Sequence, residues 1–585
     1  MKHRPAVNGN PFDPATSPLQ PSRRQFMQSL VAGSALGTGL LTGVAANGND
    51  HAYSADTAGP LRGREFRLVI GARSVNFSGS QRQATAINGS IPAPTLHWRE
   101  GDEVIINVTN SLTHTTSIHW HGLILPYQLD GVPGISYPGI RPGETFQYRF
   151  HVQQHGTYWY HAHSGFQEMT GLYGAIIIEP RESDRVQADR DHLVILSEWT
   201  DENPEYVFQK LKTKGHLYNF NQPTLPALIG DMMKDGFVQA MSRRQMFSAM
   251  RMKPTDLADL SAATLTYLIN GTTPAGNPTC LFSPGERVRL RFINAAGNTF
   301  FDVRIPGLPL TVVHVDGLDV EPVTVDEFRC APGETYDLLI EPRDDAYTIF
   351  AETMERTGYA RATLAVRDGL SAPIPAPRPA QWLSMIDMMG ASAHSANSGA
   401  EQGKMGAMGA AMVTASHAST EFGPSTDMRI DHPRLNLDDP GIGLRNMPHR
   451  VLTLNDLRSL DPPPDSREPG REIELHLTGN MERYSWSIDG LEYGDSTPVH
   501  FRYGERLRVH LHNDTMMTHP MHLHGMWSDL EDAYGNFLVR RHTLPVQPAQ
   551  RVSFSTTADA LGRWAWHCHL LLHMDAGMFR EVIVA

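Results

Sequence analysis

Near its C-terminus the chain reads HCHLLLHMDAGM, which brings His567, Cys568, His569, His573 and Met578 into one short stretch. A thiolate, imidazoles and a thioether are the soft donors that select copper, with Cys and His in the plane and Met as a weak axial ligand. In a strand, successive side chains face opposite sides. His567 and His569 then point one way and Cys568 the other. One stretch touches two metal sites, and the Cys sulfur has a short covalent path to both imidazoles. Such an arrangement moves electrons.

Three more histidine pairs strengthen this reading: His119 and His121 in HWHG, His161 and His163 in HAH, and His522 and His524 in HPMHLHG, which also holds His519. A lone H-x-H is weak, because exposed histidine pairs are common; four in one chain are not. Their placement repeats. Gly101 opens a GDEVIINV stretch, and His119 and His121 follow 18 and 20 residues later. Gly504, Gly143 and Ala549 stand at the same offsets from the other three pairs. The chain therefore carries a duplicated unit with two ligand pairs per copy.

A third copy lies between them, opened by Gly285 and Gly333. Its ligand offsets fall on Val303, Ile305, Ala351 and Thr353, none of which can hold copper. The middle copy is expected to be metal-free and structural. The same register isolates the Cys site: His519, Cys568, His573 and Met578 correspond in the first copy to Thr116, Ala162, Gln167 and Leu172. Only the last copy can build a Cys-ligated copper. The eight paired imidazoles should converge between the first and last copies and suit a three-copper cluster with three, three and two ligands.

The elements that must position these residues read as short strands. Apolar runs alternate, as in EVIINV, FQYRFHV and RVRLRFI, and 50 Gly and 41 Pro punctuate them. That is the pattern of antiparallel Greek-key β-sandwiches. At 585 residues the chain holds several domains. We read residues 59–182 as a first domain, 190–367 as a second, 368–445 as a Pro- and Met-rich linker, and 446–585 as a third. Within the second, DMMKDGFVQAMSRRQMFSAMRMKPTDLADL reads as a helical insert whose methionines serve as adaptable core or cover, with copper docking the alternative. The linker holds Met385, Met388, Met389, His394, Met405, Met408, Met412 and His417 among Gly, Ala and Ser. It has no apolar periodicity to build a core, and its thioethers are either incidental to a loop or soft donors that collect extra Cu(I), the second being the expectation.

The net charge of −13 argues against a nucleic-acid partner. Of three cysteines, Cys280 and Cys330 fall in the middle copy, either as a disulfide or as two buried thiols. Residues 1–58 read as a leader and loose start. Ser22-Arg23-Arg24-Gln25-Phe26-Met27 is a twin-arginine motif followed by a weakly apolar run, with cleavage expected after Ala46 or Ala55. The run is too short and too diluted to span a membrane. Export by the twin-arginine machinery to a bacterial periplasm is expected, with no membrane insertion.

The motifs HWHG, HAH, HPMHLHG and HCHLLLHMDAGM resemble the four copper motifs of the multicopper oxidases, the laccase and cuprous-oxidase superfamily, over nearly all of residues 60–585. The leader, WYHAHSGFQEMTGLYG, the Met-rich linker and GRWAWHCHLLLHMDAGMFREVIV resemble more narrowly the periplasmic copper-resistance oxidases of the CopA type. The resemblance implies three cupredoxin-like domains and four copper ions. His519, Cys568, His573 and Met578 would form the type 1 site, and His119 and His522 the type 2 site. His121, His161 and His569 would hold one type 3 ion, and His163, His524 and His567 the other. One position departs: several bacterial relatives carry Glu immediately before the last His of the final motif, where this chain has Leu572. Asp130 matches the family's acidic residue near the cluster, and Glu168 is a weaker candidate for moving protons.

These residues imply an oxidoreductase that takes electrons one at a time at the type 1 site and reduces O2 to water. Cu(I) is the expected donor, and a small phenol, laccase-like, the alternative. A nitrite reductase would lack the full set of four paired motifs. A protein that only sequesters copper would need no Cys–His path.

Overall fold

The computed structural model describes residues 59–219, 224–250, 253–392 and 413–585. Among these, six β-sheets form three sandwiches: a four- and a five-stranded sheet in the first, and a six- and a five-stranded sheet in each of the others. Alternation drives strand formation. In Glu103–Asn110, every second side chain is buried, as a sheet with one face on a core requires. Neighbours in a sheet are often distant in sequence. In the third sandwich Val499–Phe501, Phe579–Val584, Gly562–Cys568, His519–Leu523 and Thr543–Val546 lie side by side in that order. The Greek-key expectation is met in all three.

The positions that carry histidines in the outer copies are apolar core in the middle one. Val303 pairs with Ala351 across the sheet, and both are fully buried with Ile305. Cys280 and Cys330 are both buried free thiols and form no disulfide.

Three helices stand in this region, Pro204–Thr213, Leu225–Asp235 and Phe237–Met250; the expected insert covers only the end of the second and the whole of the third, and its last residues, 253–260, are irregular. The Asn203 and Thr224 side chains cap the first two by accepting from Glu205 N and Ala227 N. Gly236, at φ +85°, breaks the third from the second. The methionines do not pack as core: Met233 is 84% exposed and Met241 40%. The sheets already close the core of this sandwich, and of the third helix's described side chains only Ala240 is buried. The side chains of Met246, Met250 and Met252 lie outside the described residues.

The described parts of the linker, 368–392 and 413–445, are more structured than its composition implies. Arg378 pins the Pro-rich stretch to the middle sandwich through Glu327 and Glu352. Met385–Met389 forms one helical turn that buries Met388, with Asp387 paired to Arg445. Leu383, Ala415, Met428, Ile430 and Leu437 are also buried. Proximity to two finished sandwiches supplies the apolar contacts that the linker lacks by itself. His394, Met405, Met408, Met412 and the twin-arginine leader lie outside the described residues. No described helix is long and apolar enough to cross a membrane.

Candidate metal centre

Antiparallel pairing sets one H-x-H motif against another. His119 pairs with His161 between strands His119–His121 and Gly156–His161. In the third sandwich His522 pairs with His567, and Met521 with Cys568. The strand alternation that separates Cys568 from His567 is thus built as the spacing predicts, with His569 one residue past the strand end.

The first and third sandwiches bring all eight paired histidines together. The rings of His121 and His522 stack at 3.9 Å, and those of His119 and His524 at 4.0 Å. His121, His161 and His569 form one group of ring nitrogens within 4.8 Å of one another, and His163, His524 and His567 form a second. His119, His121 and His522 form a third.

Tautomers follow from the hydrogen bonds. His567 Nδ1–H donates to Cys568 O at 2.9 Å, and His524 Nδ1–H donates to Asp130 Oδ2 at 2.9 Å. Their Nε2 atoms therefore carry lone pairs, yet they face each other at 3.0 Å. His119 Nδ1–H donates to Asp130 O and His522 Nδ1–H to His542 O, both at 2.7 Å. Among the described residues, the buried Nε2 atoms of His119, His161 and His522 meet no partner. Burial, then the neighbouring imidazoles, hold His121, His163, His522 and His524 well below the ordinary histidine value. His567 is pushed down to about 3, by burial first. A dry nest of neutral imidazoles with facing lone pairs fits cations and little else.

A separate group lies on the other face of the same strand. Cys568 Sγ is 3.5 Å from His519 Nδ1 and 3.9 Å from His573 Nδ1, and the two Nδ1 atoms are 3.2 Å apart. A trigonal ion with bonds of about 2.0 Å to nitrogen and 2.3 Å to sulfur spaces its donors by about 3.5 Å, so the triangle fits. Burial raises the Cys568 thiol well above its ordinary value, so a thiolate there needs a cation beside it. Met578 is fully buried, and its carbonyl accepts from Cys568 N–H.

Both acidic candidates touch the cluster. Asp130 contacts His119 and His524, and Glu168 Oε2 lies 2.6 Å from His161 Nδ1. Burial pushes Glu168 up to about 8. Leu572 is fully buried.

Sequence reasoning missed four neighbours. His542 Nδ1 lies 3.2 Å from His121 Nε2. Asp259, in the irregular tail of the expected insert, lies 2.9 Å from His573 Nε2. Trp486 stacks on His573 at 3.8 Å, and Trp159 on His161 at 4.2 Å. The first three are single residues without a repeating motif, so nothing in their spacing marked them; Trp159, two residues before His161 on one strand, could have been found from strand alternation.

Family models described as multicopper oxidase match residues 70–183, 190–368 and 466–585. "Copper resistance protein A" of Escherichia coli is 50% identical over 605 residues, covering 97% of this chain and 99% of the relative. The chain belongs to the multicopper oxidase family. The oxidase is also 50% identical to the "Copper resistance protein A homolog" of Pseudomonas syringae pv. tomato, over 97% of this chain and 100% of that one. Among solved structures, the laccase from Botrytis aclada superposes with a TM-score of 0.61 at 20% identity, covering 91% of this chain and 88% of that one. Fet3p, a multicopper oxidase of iron import, gives 0.60 at 18%, covering 89% and 90%. These two likenesses concern the fold. The protein is an oxidoreductase of copper cofactors.

Proposed function

We propose that this oxidase takes electrons from Cu(I) and delivers them to O2: four Cu(I), one O2 and four protons give four Cu(II) and two waters. The observation that carries it is the single strand end where Cys568 faces one donor triangle and its peptide neighbours His567 and His569 face the histidine cluster. His519, Cys568, His573 and Met578 would hold the type 1 ion, and His119 and His522 the type 2 ion. His121, His161 and His569, and His163, His524 and His567, would hold the type 3 pair. Copper bound at these four positions supplies one-electron transfer and the four-electron reduction of O2.

The chain's own residues do the rest. His573 and His519 form the edge at which an electron enters. Cys568 joins that edge covalently to His567 and His569. Asp130 fixes His524 and His119 as Nδ1–H tautomers and so aims their Nε2 lone pairs inward. With Leu572 aliphatic, Asp130 and Glu168 are the carboxylates beside the cluster that can hold a proton for oxygen. Asp259 orients His573.

Cu(I) is favoured as donor by the copper-resistance names of relatives 50% identical over nearly the whole chain, and by the thioethers of residues 385–412, which would gather extra Cu(I). Its oxidation lowers the supply of the softer, thiol-seeking ion. The twin-arginine motif supports export to a periplasm. We take 59–182, 190–367 and 446–585 as the domains, joined by the linker 368–445. The test is oxygen uptake by the copper-loaded protein, with Cu(I) and a simple phenol side by side. Saturable uptake with Cu(I), faster than with the phenol, is expected. Faster turnover with the phenol would identify a laccase, and no uptake with either would leave a copper-sequestering protein.

A further inference from the structure

A second group of metal-binding side chains lies outside the electron path. His417 and Glu421, just before and within the short turn Ser419–Phe422, meet His476 from strand Arg471–Asn480 and Asp514 from the end of strand Arg506–Asn513. One donor atom from each of the four lies within 4.8 Å of all the others. Nitrogen and oxygen alternate around this ring. His417 Nδ1 is 2.7 Å from Glu421 Oε2, which is 3.5 Å from His476 Nδ1. His476 Nδ1 is 2.7 Å from Asp514 Oδ2, which is 3.7 Å from His417 Nδ1.

The two carboxylates are held so that their free oxygens meet. Glu421 Oε1 accepts from Ala418 N–H at 2.9 Å, and Asp514 Oδ1 accepts from Ile430 N–H at 3.0 Å. Each spends one oxygen on a backbone amide and aims the other at the common centre, as outer hydrogen bonds do for metal-binding carboxylates. Both are essentially fully buried. His512 stacks on the His476 ring at 4.6 Å and 12°, fixing its plane. Exposed Asp431, 3.4 Å from His417 Nε2, marks the side open to solvent.

We propose that His417, Glu421, His476 and Asp514 form an additional binding site for a divalent cation, Cu(II) first among them. Bonds of about 2.0–2.2 Å place adjacent donors of a square about 3 Å apart, which is the mean size of this ring. Two imidazoles and two carboxylates in tetragonal array suit Cu(II), which also heads the affinity order of the divalent first-row ions. With no sulfur donor, the ring does not suit Cu(I). The site therefore differs in kind from the thioethers of the linker, and it rests on its own four donors rather than on the electron donor read for the oxidase.

To test it, the copper-loaded oxidase is equilibrated with excess Cu(II), freed of loose metal by gel filtration, and counted for copper beside the His417→Gln/Glu421→Gln double variant. The variant is expected to hold one copper fewer per chain, to lose one axial paramagnetic signal with two-nitrogen coupling, and to keep the visible band of the Cys568 site. Equal counts with identical spectra would overturn the proposal. Should the variant lose its visible band and so prove misfolded, crystals of the unaltered protein soaked in Cu(II) decide. An anomalous peak at the copper edge among the four donors is expected, and a site empty of copper overturns it.

Discussion

At the scale of residues, the direction of each imidazole lone pair decides what the cluster can hold. Asp130 sets two of them, through its backbone carbonyl to His119 and its carboxylate to His524. Asp130→Asn keeps the size but cannot carry a negative charge or release a proton at neutral pH. Loss of such an outer partner lowers activity by about 10- to 100-fold. Steady-state oxygen uptake should fall by that much with the copper count unchanged, and an unaltered rate where oxygen reduction limits would remove Asp130 from the mechanism. Cys568→Ser exchanges a soft thiolate for a hard hydroxyl. Its intense visible band should vanish and activity should fall to background; a variant that stayed blue would place the thiolate elsewhere.

At the scale of elements, the turns matter as much as the strands. Gly333 opens the second half of the middle copy at φ +90°, and a Cβ there would stand 2.9 Å from His569 Cδ2 and 3.3 Å from His121 Cε1. The copy that lacks the paired ligand histidines thus walls the cluster built by the other two, and Gly333 O accepts from Trp159 Nε1 as well. Gly307, in the same sandwich at φ +82°, has nothing within 4 Å. Alanine at Gly307 should cost only backbone strain, about 1 kcal/mol. Alanine at Gly333 should add displaced His569 and His121 rings, seen as substoichiometric copper and lower oxygen uptake. Equal copper content in the two variants would show that the turn does not press on the cluster.

At the scale of the whole molecule, the middle sandwich joins the outer two by buried charge. Toward the third, Asp316 accepts from Arg541 Nε at 2.7 Å and from the backbone N–H groups of His542 and Thr543, while Glu334 takes the other arm of Arg541. Toward the first, Asp337 accepts from Thr157 Oγ1 at 2.8 Å and pairs with Arg291 and His314. Burial alone would pull His314 down, but hydrogen bonds and charge from Asp319 and Asp337 outweigh it and hold it up at about 9. A raised histidine stabilises the fold in full below its unfolded value of 6.5 and ceases to do so as pH rises through about 9. The shift corresponds to about 3 kcal/mol. Thermal unfolding of the copper-loaded protein should show stability declining across that alkaline window, and His314→Gln should flatten the decline while lowering stability at pH 6. Parallel profiles for the two proteins would show that His314 does not couple folding to pH.

The repeat offsets by themselves marked the three copies, the apolar residues at the ligand offsets of the middle one and the eight paired histidines, and strand alternation marked the separation of Cys568 from its flanking histidines. All of these follow from period-2 strands and a duplicated register, which are local properties. The sequence also pointed to Asp130, through the resemblance of its motif. Asp259, His542 and Trp486 became visible only in three dimensions, because each reaches the donors from another element and repeats with nothing, whereas Trp159 shares a strand face with His161 two residues on. The Met-bearing helices turned outward because the sheets had already closed the core. The linker gained order from surfaces that it does not itself encode. The ring of His417, Glu421, His476 and Asp514 draws on a turn and two strands whose sequence spacing carries no signal. Short-range periodicity is written along the chain, whereas meetings between elements depend on how the sandwiches pack.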